Sequence, residues 1–169
     1  MGISNSELLE AVGGEDAKAV QEGGASGQCV SFEHFDRKLT FEDVSTGGSI
    51  IVFGPRRDML SVARNFLEFF IDESCGQCTP CREGTTWLDM ILRRMLDGGG
   101  RSVDLDLLYD VSDNITVGVG WPPKQTTICP LGPSAVSAVT SLLAYSRAAA
   151  EAHIAKANRV PLTIKGSGA

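Results

Sequence analysis

The sequence predicts an α+β fold, with short strands in the first third of the chain and helices in most of the remainder. Before residue 54, β-branched and apolar residues occur in short runs bounded by glycine, such as Ser49-Ile50-Ile51-Val52-Phe53. After Gly54-Pro55, apolar residues recur at three- and four-residue spacing, which is the period of an amphipathic helix. The proline therefore divides a small α+β module, residues 1–54, from a helical region, residues 55–160.

The first module is expected to contain one short helix and three strands. Ser4-Asn5-Ser6-Glu7 supplies N-cap chemistry for the helix, and Gly13-Gly14 is suited to end it. The predicted strands cover residues 17–21, 29–32 and 49–53. The glycine-rich segment Gly23-Gly24-Ala25-Ser26-Gly27 is interpreted as a turn rather than a phosphate-binding loop, because it is not G-x-G-x-x-G and no P-loop lysine follows it.

Four helices are expected in the second region, and four helices favour a small bundle. Their predicted positions are residues 58–71, the segment from the clustered cysteines to Gly98, a short third helix around 105–111, and residues 134–158 before Pro161. In the second helix Trp87 is placed on the apolar face, and Arg93 and Arg94 are turned away from it. Residues 114–125 are predicted to form a loop, and residues 161–169 a flexible tail.

Composition narrows the possible functions. The chain has 169 residues, of which 43% are hydrophobic, and a formal net charge of -6. This balance argues against nucleic acid or an anionic membrane as the main partner, since both need a basic face. No apolar run is long enough to cross a bilayer and no export signal is evident. The expected location is therefore cytoplasmic, either free or at the periphery of a membrane complex on its cytoplasmic side, with no direct membrane span.

The cysteines carry the strongest chemical signal. There are five, and three of them, Cys75, Cys78 and Cys81, lie within seven residues, which does not suit a disulfide framework. A C-x-x-C-x-x-C run with a remote cysteine before proline, here Cys129, is typical of [4Fe–4S] ligation. Structural zinc is the alternative, although zinc sites more often present two separated pairs of ligands. Cys29 is placed outside the site, as a small buried hydrophobe.

The surroundings of the cysteines fit thiolate ligation. Arg82 and the N-terminus of the helix that begins near Cys81 both supply positive potential, although Arg82 can equally be a solvated surface charge. Gly76 allows close approach of the backbone to the sulfurs. His34 and His153 are far apart and lack a nucleophile, so no catalytic residue is predicted.

With these residues identified, the chain resembles the C-terminal third of the flavin-containing, NADH-oxidising subunit shared by respiratory complex I, NAD-linked hydrogenases and NAD-dependent formate dehydrogenases. The resemblance covers almost the whole chain. It is carried by Gly23-Gly24-Ala25-Ser26-Gly27 with the strand Ile51-Val52-Phe53, by Glu73-Ser74-Cys75-Gly76-Gln77-Cys78-Thr79-Pro80-Cys81-Arg82-Glu83-Gly84, and by Thr127-Ile128-Cys129-Pro130-Leu131-Gly132. The sequence departs from the family pattern at Glu22 and Pro133, and in a longer 114–125 loop.

The resemblance implies a fold and a cofactor. Residues 1–54 would be a ubiquitin-like β-grasp module of the soluble-ligand-binding type (SLBB), and residues 55–160 a four-helix bundle. In that family four cysteines ligate one [4Fe–4S] cluster, which accepts electrons one at a time from reduced FMN. Cys75, Cys78, Cys81 and Cys129 occupy the matching positions.

The resemblance also implies partners. The half of the family's protein that binds FMN and NADH would lie upstream of Met1, so FMN and NAD(H) are expected only through that domain or a partner, and this chain is not expected to be catalytic alone. A thioredoxin-like [2Fe–2S] subunit and further iron–sulfur subunits are the other implied partners. Two alternatives remain open: a zinc-stabilised protein-interaction module without redox function, and a soluble ligand bound by the β-grasp module.

Overall fold

The first part of the chain forms one helix and a three-stranded antiparallel sheet with the spatial order β2-β1-β3. The computed structural model describes residues 2–44, 46–117 and 124–157. The bounds in this part are Asn5–Val12 for α1, Ala19–Glu22 for β1, Gln28–Ser31 for β2 and Ile50–Phe53 for β3. The expected helix and three strands are therefore present, close to their predicted bounds, and the α+β class is confirmed.

Helix α1 begins and ends where its capping residues predict. The Ser4 hydroxyl accepts a hydrogen bond from the Glu7 N–H, and the Glu7 carboxylate accepts one from the Ser4 N–H, which completes a capping box. Gly13 ends the helix with φ 72°, a conformation that favours glycine.

Strand β1 lies at the centre of the sheet and is buried on both faces. On one face Val20 packs with Leu9 of α1, Val30 of β2 and Val44. On the other face Ala19 belongs to the main core, which the later helices build. The sheet is thus enclosed between α1 and the helical region.

The described part of the helical region contains four α-helices. Their bounds are Met59–Asp72 for α2, Thr79–Arg94 for α3, Val103–Ile115 for α4 and Leu131–Ala157 for α5. Helix α3 continues into a π-type turn, Met95–Gly99, where Gly98 has φ 84°. Apolar side chains of all four helices meet in one core that includes Leu67, Leu88, Leu108 and Leu143.

Three details differ from the sequence-based expectations. Residues 114–125 are not a plain loop: α4 extends to Ile115, and Thr116–Val117 (β4) pairs antiparallel with Lys124–Gln125 (β5). Trp87 was expected on the apolar face of α3, but its side chain is 55% exposed. The buried face of this helix is instead centred on Leu88 and Leu92. The expectations for Trp121 and for residues 161–169 lie outside the described residues.

Arg94 is the third difference. The helical pattern turns it away from the packed face of α3, but its guanidinium pairs with Asp104, a completely buried carboxylate at the start of α4. Burial alone would raise the pKa of Asp104, yet hydrogen bonds from Arg94 and Arg101 outweigh it and hold the pKa below its usual value. This ion pair joins α3 to α4.

Helix α5 joins the two regions by packing along the edge strand β2. Ser137 Oγ donates to the Gly27 carbonyl at 2.5 Å, the Cys29 N–H donates to Ser141 Oγ at 2.9 Å, and Ser31 Oγ donates to the Tyr145 carbonyl at 2.8 Å. The helix partners in these bonds are four residues apart, a rise of about 6 Å, and the strand partners are two residues apart, a rise of about 6.7 Å. The spacing of contacts along the helix therefore matches the spacing along the strand. Beyond it the helix breaks at Ser146, which has φ -140° and ψ 27°.

No helix among the described residues is both long enough and apolar enough to cross a membrane.

Candidate iron–sulfur site

The loop between α2 and α3 carries the three clustered cysteines. Helix α2 ends at Asp72, and Cys78 is the N-cap residue of α3, so Cys75 and Cys78 lie on the loop and Cys81 in the first helical turn. Pro80 fits that turn because its missing N–H has no helical partner there. Gly76 has φ 74°, a backbone conformation that side chains other than glycine rarely adopt.

Hydrogen bonds fold this loop back on itself. Arg82 Nη1 donates to the Gly76 carbonyl at 2.5 Å, and the Gly76 N–H donates to Ser74 Oγ at 3.3 Å. Ser74 Oγ also lies 3.5 Å from Cys81 Sγ, within hydrogen-bond distance of sulfur. Arg82 lies in the first turns of α3 and is exposed; its Nη1 holds the loop, and its Nε pairs with the Glu83 carboxylate at 2.9 Å.

A direct contact joins the remote segment to the loop. The Ile128 N–H donates to Cys78 Sγ at 3.4 Å, although the two residues are 50 positions apart. Thr127 Oγ1 donates to the Cys129 carbonyl at 2.9 Å and holds the turn that follows Ile128. The structure therefore places Cys129 next to a residue that contacts the clustered cysteines.

Two glycines of the cysteine motifs contact the same side chain. A Cβ atom at Gly84 of α3 would lie 2.7 Å from the Ile115 side chain, and one at Gly132 of α5 would lie 3.1 Å from it. Ile115 is completely buried at the end of α4. Because both glycines lack a side chain, α3 and the start of α5 approach Ile115 closely, which fixes the two cysteine segments relative to each other.

Burial differs among the four thiols. Cys81 is buried, Cys78 is half-buried, and Cys75 and Cys129 are exposed. Ile128, between the two segments, is 84% exposed. The site therefore opens at the surface.

The predicted ligands are four thiols, which is the donor set of a [4Fe–4S] cluster. Among the described residues, no group of three or more His, Cys, Asp or Glu side chains is arranged to hold one metal ion. A zinc ion needs all its sulfurs about 2.3 Å from one centre, whereas in a [4Fe–4S] cluster the four cysteines bind a body of several atoms. Four thiols and no second ligand type also match that cluster, so the residues present fit the group.

Cys29 lies elsewhere. It is buried in β2, and burial raises the pKa of its thiol to about 12. Its N–H is bonded to Ser141 of α5, so the residue belongs to the contact between sheet and helix.

The two histidines are also far from the cysteine loop in sequence. His34 Nδ1 lies 3.2 Å from Ser31 Oγ, a pairing that the sequence did not indicate, and its ring contacts Tyr145. Ser31 is buried and its hydroxyl also bonds the Tyr145 carbonyl, so the pair is part of the packing against α5. His153 lies beside Asp58 at the start of α2.

Ser74 and Ile128 contact the clustered cysteines, and neither had a predicted role. Ser74 directly precedes Cys75, so its position in the motif was a usable signal. Ile128 contributes only its backbone N–H, which any residue except proline provides, so its contact could not be recognised from its side chain.

Comparison with known proteins identifies related chains. The family of the NADH-ubiquinone oxidoreductase-F iron–sulfur binding region, of the [4Fe–4S] type, matches residues 61–153. The F subunit of the NADH-quinone oxidoreductase of Mycobacterium tuberculosis is 37% identical over 164 residues, which are 91% of this chain and 35% of that protein. The alpha subunit of the NAD-reducing hydrogenase HoxS of Cupriavidus necator is 36% identical over 143 residues, 84% of this chain and 22% of that protein.

The fold is similar to that of a solved structure. The crystal structure of an NAD+-reducing [NiFe]-hydrogenase in the H2-reduced state matches with a TM-score of 0.79 and 30% identity, over 90% of this chain and 26% of the hydrogenase chain. The chain thus spans about a third or less of the length of these relatives. Since the family match covers more than half of its residues, the chain belongs to the family of the NADH-ubiquinone oxidoreductase-F iron–sulfur binding region, and its cofactor is of the [4Fe–4S] type.

Proposed function

We propose that Cys75, Cys78, Cys81 and Cys129 ligate one [4Fe–4S] cluster, and that the chain is an electron-transfer module of an NADH-linked oxidoreductase. The contact of 3.4 Å between the Ile128 N–H and Cys78 Sγ carries this proposal, because it brings the remote cysteine segment to the clustered one. The family and the names of the relatives support the redox role.

The surrounding residues are suited to stabilise negative charge on sulfur. The Ile128 N–H already donates to Cys78 Sγ, and Ser74 Oγ is within reach of Cys81 Sγ. The N-terminus of α3, where Cys78 is the N-cap, carries partial positive charge, and the Arg82 guanidinium, which also pairs with Glu83, lies nearby. Hydrogen bonds and charge of this kind tune the potential of iron–sulfur sites.

A bound [4Fe–4S] cluster supplies reversible one-electron transfer, in which side chains make and break no bonds. The chain's own residues hold the ligands in place, through the Gly84, Ile115 and Gly132 contacts, and shield part of the site through Cys81. The exposed edge at Cys75, Cys129 and Ile128 is where an electron partner can approach.

The proposed donor is reduced FMN in an NADH-oxidising domain or subunit, and the proposed acceptors are a thioredoxin-like [2Fe–2S] subunit and further iron–sulfur subunits. The relatives named above support this assignment, since each is a subunit of an NAD-linked oxidoreductase. We further infer that residues 1–54 are an SLBB-like β-grasp module, that residues 55–160 are a four-helix cluster-binding bundle, and that the protein acts on the cytoplasmic side.

Metal content separates the proposal from a zinc module. Anaerobic reconstitution with iron and sulfide should give a brown protein with a broad band near ~400 nm, bleached by dithionite, and about four irons per chain. Zinc supplied in competition should not replace the iron stoichiometrically. A colourless protein with one tightly bound zinc per chain would overturn the proposal.

A further inference from the structure

A cleft of about 260 Å³ lies between the start of α2, the segment before it and the face of α5. We call it the basic cleft. Its charged and titratable lining residues are Lys18, Arg56, Arg57, Asp58 and His153. Helix α2 separates this cleft from the cysteine loop, and its 14 residues correspond to about 20 Å at 1.5 Å per residue. The basic cleft is therefore a different place from the proposed cluster site.

The charge of the basic cleft is opposite to that of the whole chain. Lys18, Arg56 and Arg57 contribute three positive charges against the single carboxylate of Asp58, which leaves two positive charges before His153 is considered. The chain as a whole carries a net charge of -6. Positive charge is therefore concentrated at this cleft.

The two arginines of the basic cleft are available to a ligand. Within the described residues, neither the Arg56 nor the Arg57 side chain has an ion pair or hydrogen bond, whereas Arg64, Arg94 and Arg147 are all paired with carboxylates. Both arginines are exposed. Unpaired guanidinium groups present the planar donor arrangement that binds phosphate oxygens in pairs.

The other charged groups of the basic cleft are already positioned. Lys18 Nζ donates to the Arg57 carbonyl at 3.0 Å and so holds the arginine segment beside β1. One oxygen of Asp58 accepts from the Leu60 N–H at 3.0 Å, and the other lies 3.6 Å from His153 Nδ1. Asp58 is thus occupied as the N-cap of α2 and by His153, rather than by the arginines.

Apart from Ser146, the remaining lining of the basic cleft is apolar. Pro55, Met59, Leu60, Leu142 and Ala150 form this part, and Met59, Leu60, Leu142 and Ala150 are themselves buried. An apolar wall beside a cationic one suits a ligand that has both an anionic group and an apolar body. The volume is slightly below the roughly 300 Å³ at which pockets for drug-sized ligands begin, which limits that body to a single ring or its equivalent.

We propose that the basic cleft binds a small organic phosphate monoester, with the phosphate between Lys18, Arg56 and Arg57 and the organic group against Leu60, Leu142 and Ala150. A phosphate monoester carries a charge of about -1.5 to -2 at pH 7, which matches the two excess positive charges of the cleft. This site does not depend on the proposed electron-transfer function.

Titration calorimetry at pH 7.5 with phenyl phosphate tests the proposal. Phenol and inorganic phosphate, which represent the ring and the anionic group of that ligand, are titrated separately. Phenyl phosphate should bind more tightly than either half. Arg56→Gln and Arg57→Gln should each weaken binding about fivefold or more, because each removes a charge-assisted hydrogen bond at a partly exposed site. Asp58→Asn keeps an N-cap acceptor while removing the only carboxylate among the described lining residues, so it should tighten binding.

Lys38→Gln is the control, since it removes an exposed positive charge outside the cleft. It should leave binding unchanged, and thermal unfolding of every variant should show that the fold is intact. Absence of heat with millimolar phenyl phosphate would overturn the proposal, as would equal weakening by Lys38→Gln. Binding of phenol as tight as that of phenyl phosphate would exclude the anionic contact, and equally tight inorganic phosphate would exclude the organic one.

Discussion

At the scale of single residues, Glu22 is a carboxyl group enclosed in the first module. It is completely buried, and neither of its carboxyl oxygens has a hydrogen-bond partner among the described residues. The amide of Asn5, also completely buried, is likewise without a partner there. Burial raises the pKa of Glu22, and the nearby Asn5 and Arg37 offset only part of that rise.

This raised pKa predicts a dependence of stability on pH. The folded state keeps a proton that the unfolded state releases above its own pKa of roughly 4.3, so the free energy of unfolding falls as the pH rises from that value through the folded pKa. Glu22→Gln removes the titration while keeping the shape. We expect the variant to exceed the wild type in stability at pH 7, by about 1 kcal/mol or more, and by less at pH 4.

Urea unfolding at the two pH values measures this difference. Glu33→Gln is the control, because Glu33 is exposed and belongs to the same module. It should differ little from the wild type at either pH. A Glu22→Gln variant less stable than the wild type at pH 7 would show that the carboxylate is ionised and paired in the folded protein.

At the scale of elements, Gly84 controls how closely α3 approaches α4. Inside a helix, alanine is normally about 1 kcal/mol better than glycine. At Gly84 the added Cβ would lie 2.7 Å from Ile115, whose side chain is completely buried and has little room to move. We therefore expect Gly84→Ala to reverse the usual order and to destabilise the fold by about 1–3 kcal/mol.

Denaturant unfolding of Gly84→Ala measures the cost, and Gly54→Ala supplies the control. Gly54 has no positive φ and no atom within 4 Å of the position of its missing Cβ, so alanine there should be neutral or slightly stabilising. Gly84→Ala should also lower the iron retained after reconstitution, because Ile115 connects the two cysteine segments. Stability and iron content both equal to those of Gly54→Ala would contradict this account.

The elements also show what a single sequence can and cannot specify. Helix α1 and helix α2 were predictable because Ser4 and Asp58 cap them and their apolar residues keep one period. The pairing of β4 with β5 was missed, since strands of two residues show no alternation. The break at Ser146 was missed because the helical pattern of α5 continues through it.

At the proposed site, the ligands stay a prediction from the sequence. The C-x-x-C-x-x-C spacing and Cys129 before proline predict the ligands, because this spacing of cysteines is the one that binds [4Fe–4S] clusters. The contacts that bring the segments together could not be predicted. They depend on the backbone N–H of Ile128 and on the absence of side chains at Gly84 and Gly132. No recurring residue pattern in the sequence marks such contacts.

At the scale of the whole molecule, α5 connects the sheet to the helices. Its contact with the edge strand β2 satisfies the buried N–H of Cys29, and Ser137 donates to the carbonyl of Gly27 directly before the strand. Ser141 is central to this contact, since its hydroxyl accepts from the buried N–H of Cys29 at 2.9 Å. The two regions are therefore expected to unfold together.

Ser141→Ala tests this connection. Removing the hydroxyl leaves the Cys29 N–H buried without an acceptor, which should cost about 1–3 kcal/mol of unfolding free energy. Thermal unfolding should still show one transition. Ser134→Ala is the control, because the Ser134 side chain has no hydrogen bond within the described part of the chain, and it should change stability by less than about 0.5 kcal/mol. Two separate transitions in Ser141→Ala would show that the regions fold independently.

The central claim is that Cys75, Cys78, Cys81 and Cys129 hold one [4Fe–4S] cluster, while Cys29 takes no part. Iron and acid-labile sulfide per chain, measured after anaerobic reconstitution of the wild type, Cys129→Ser and Cys29→Ala, test it most directly. We predict about four of each in the wild type and in Cys29→Ala, and clearly fewer in Cys129→Ser. Undiminished iron in Cys129→Ser, or loss of iron in Cys29→Ala despite an intact fold, would contradict the claim.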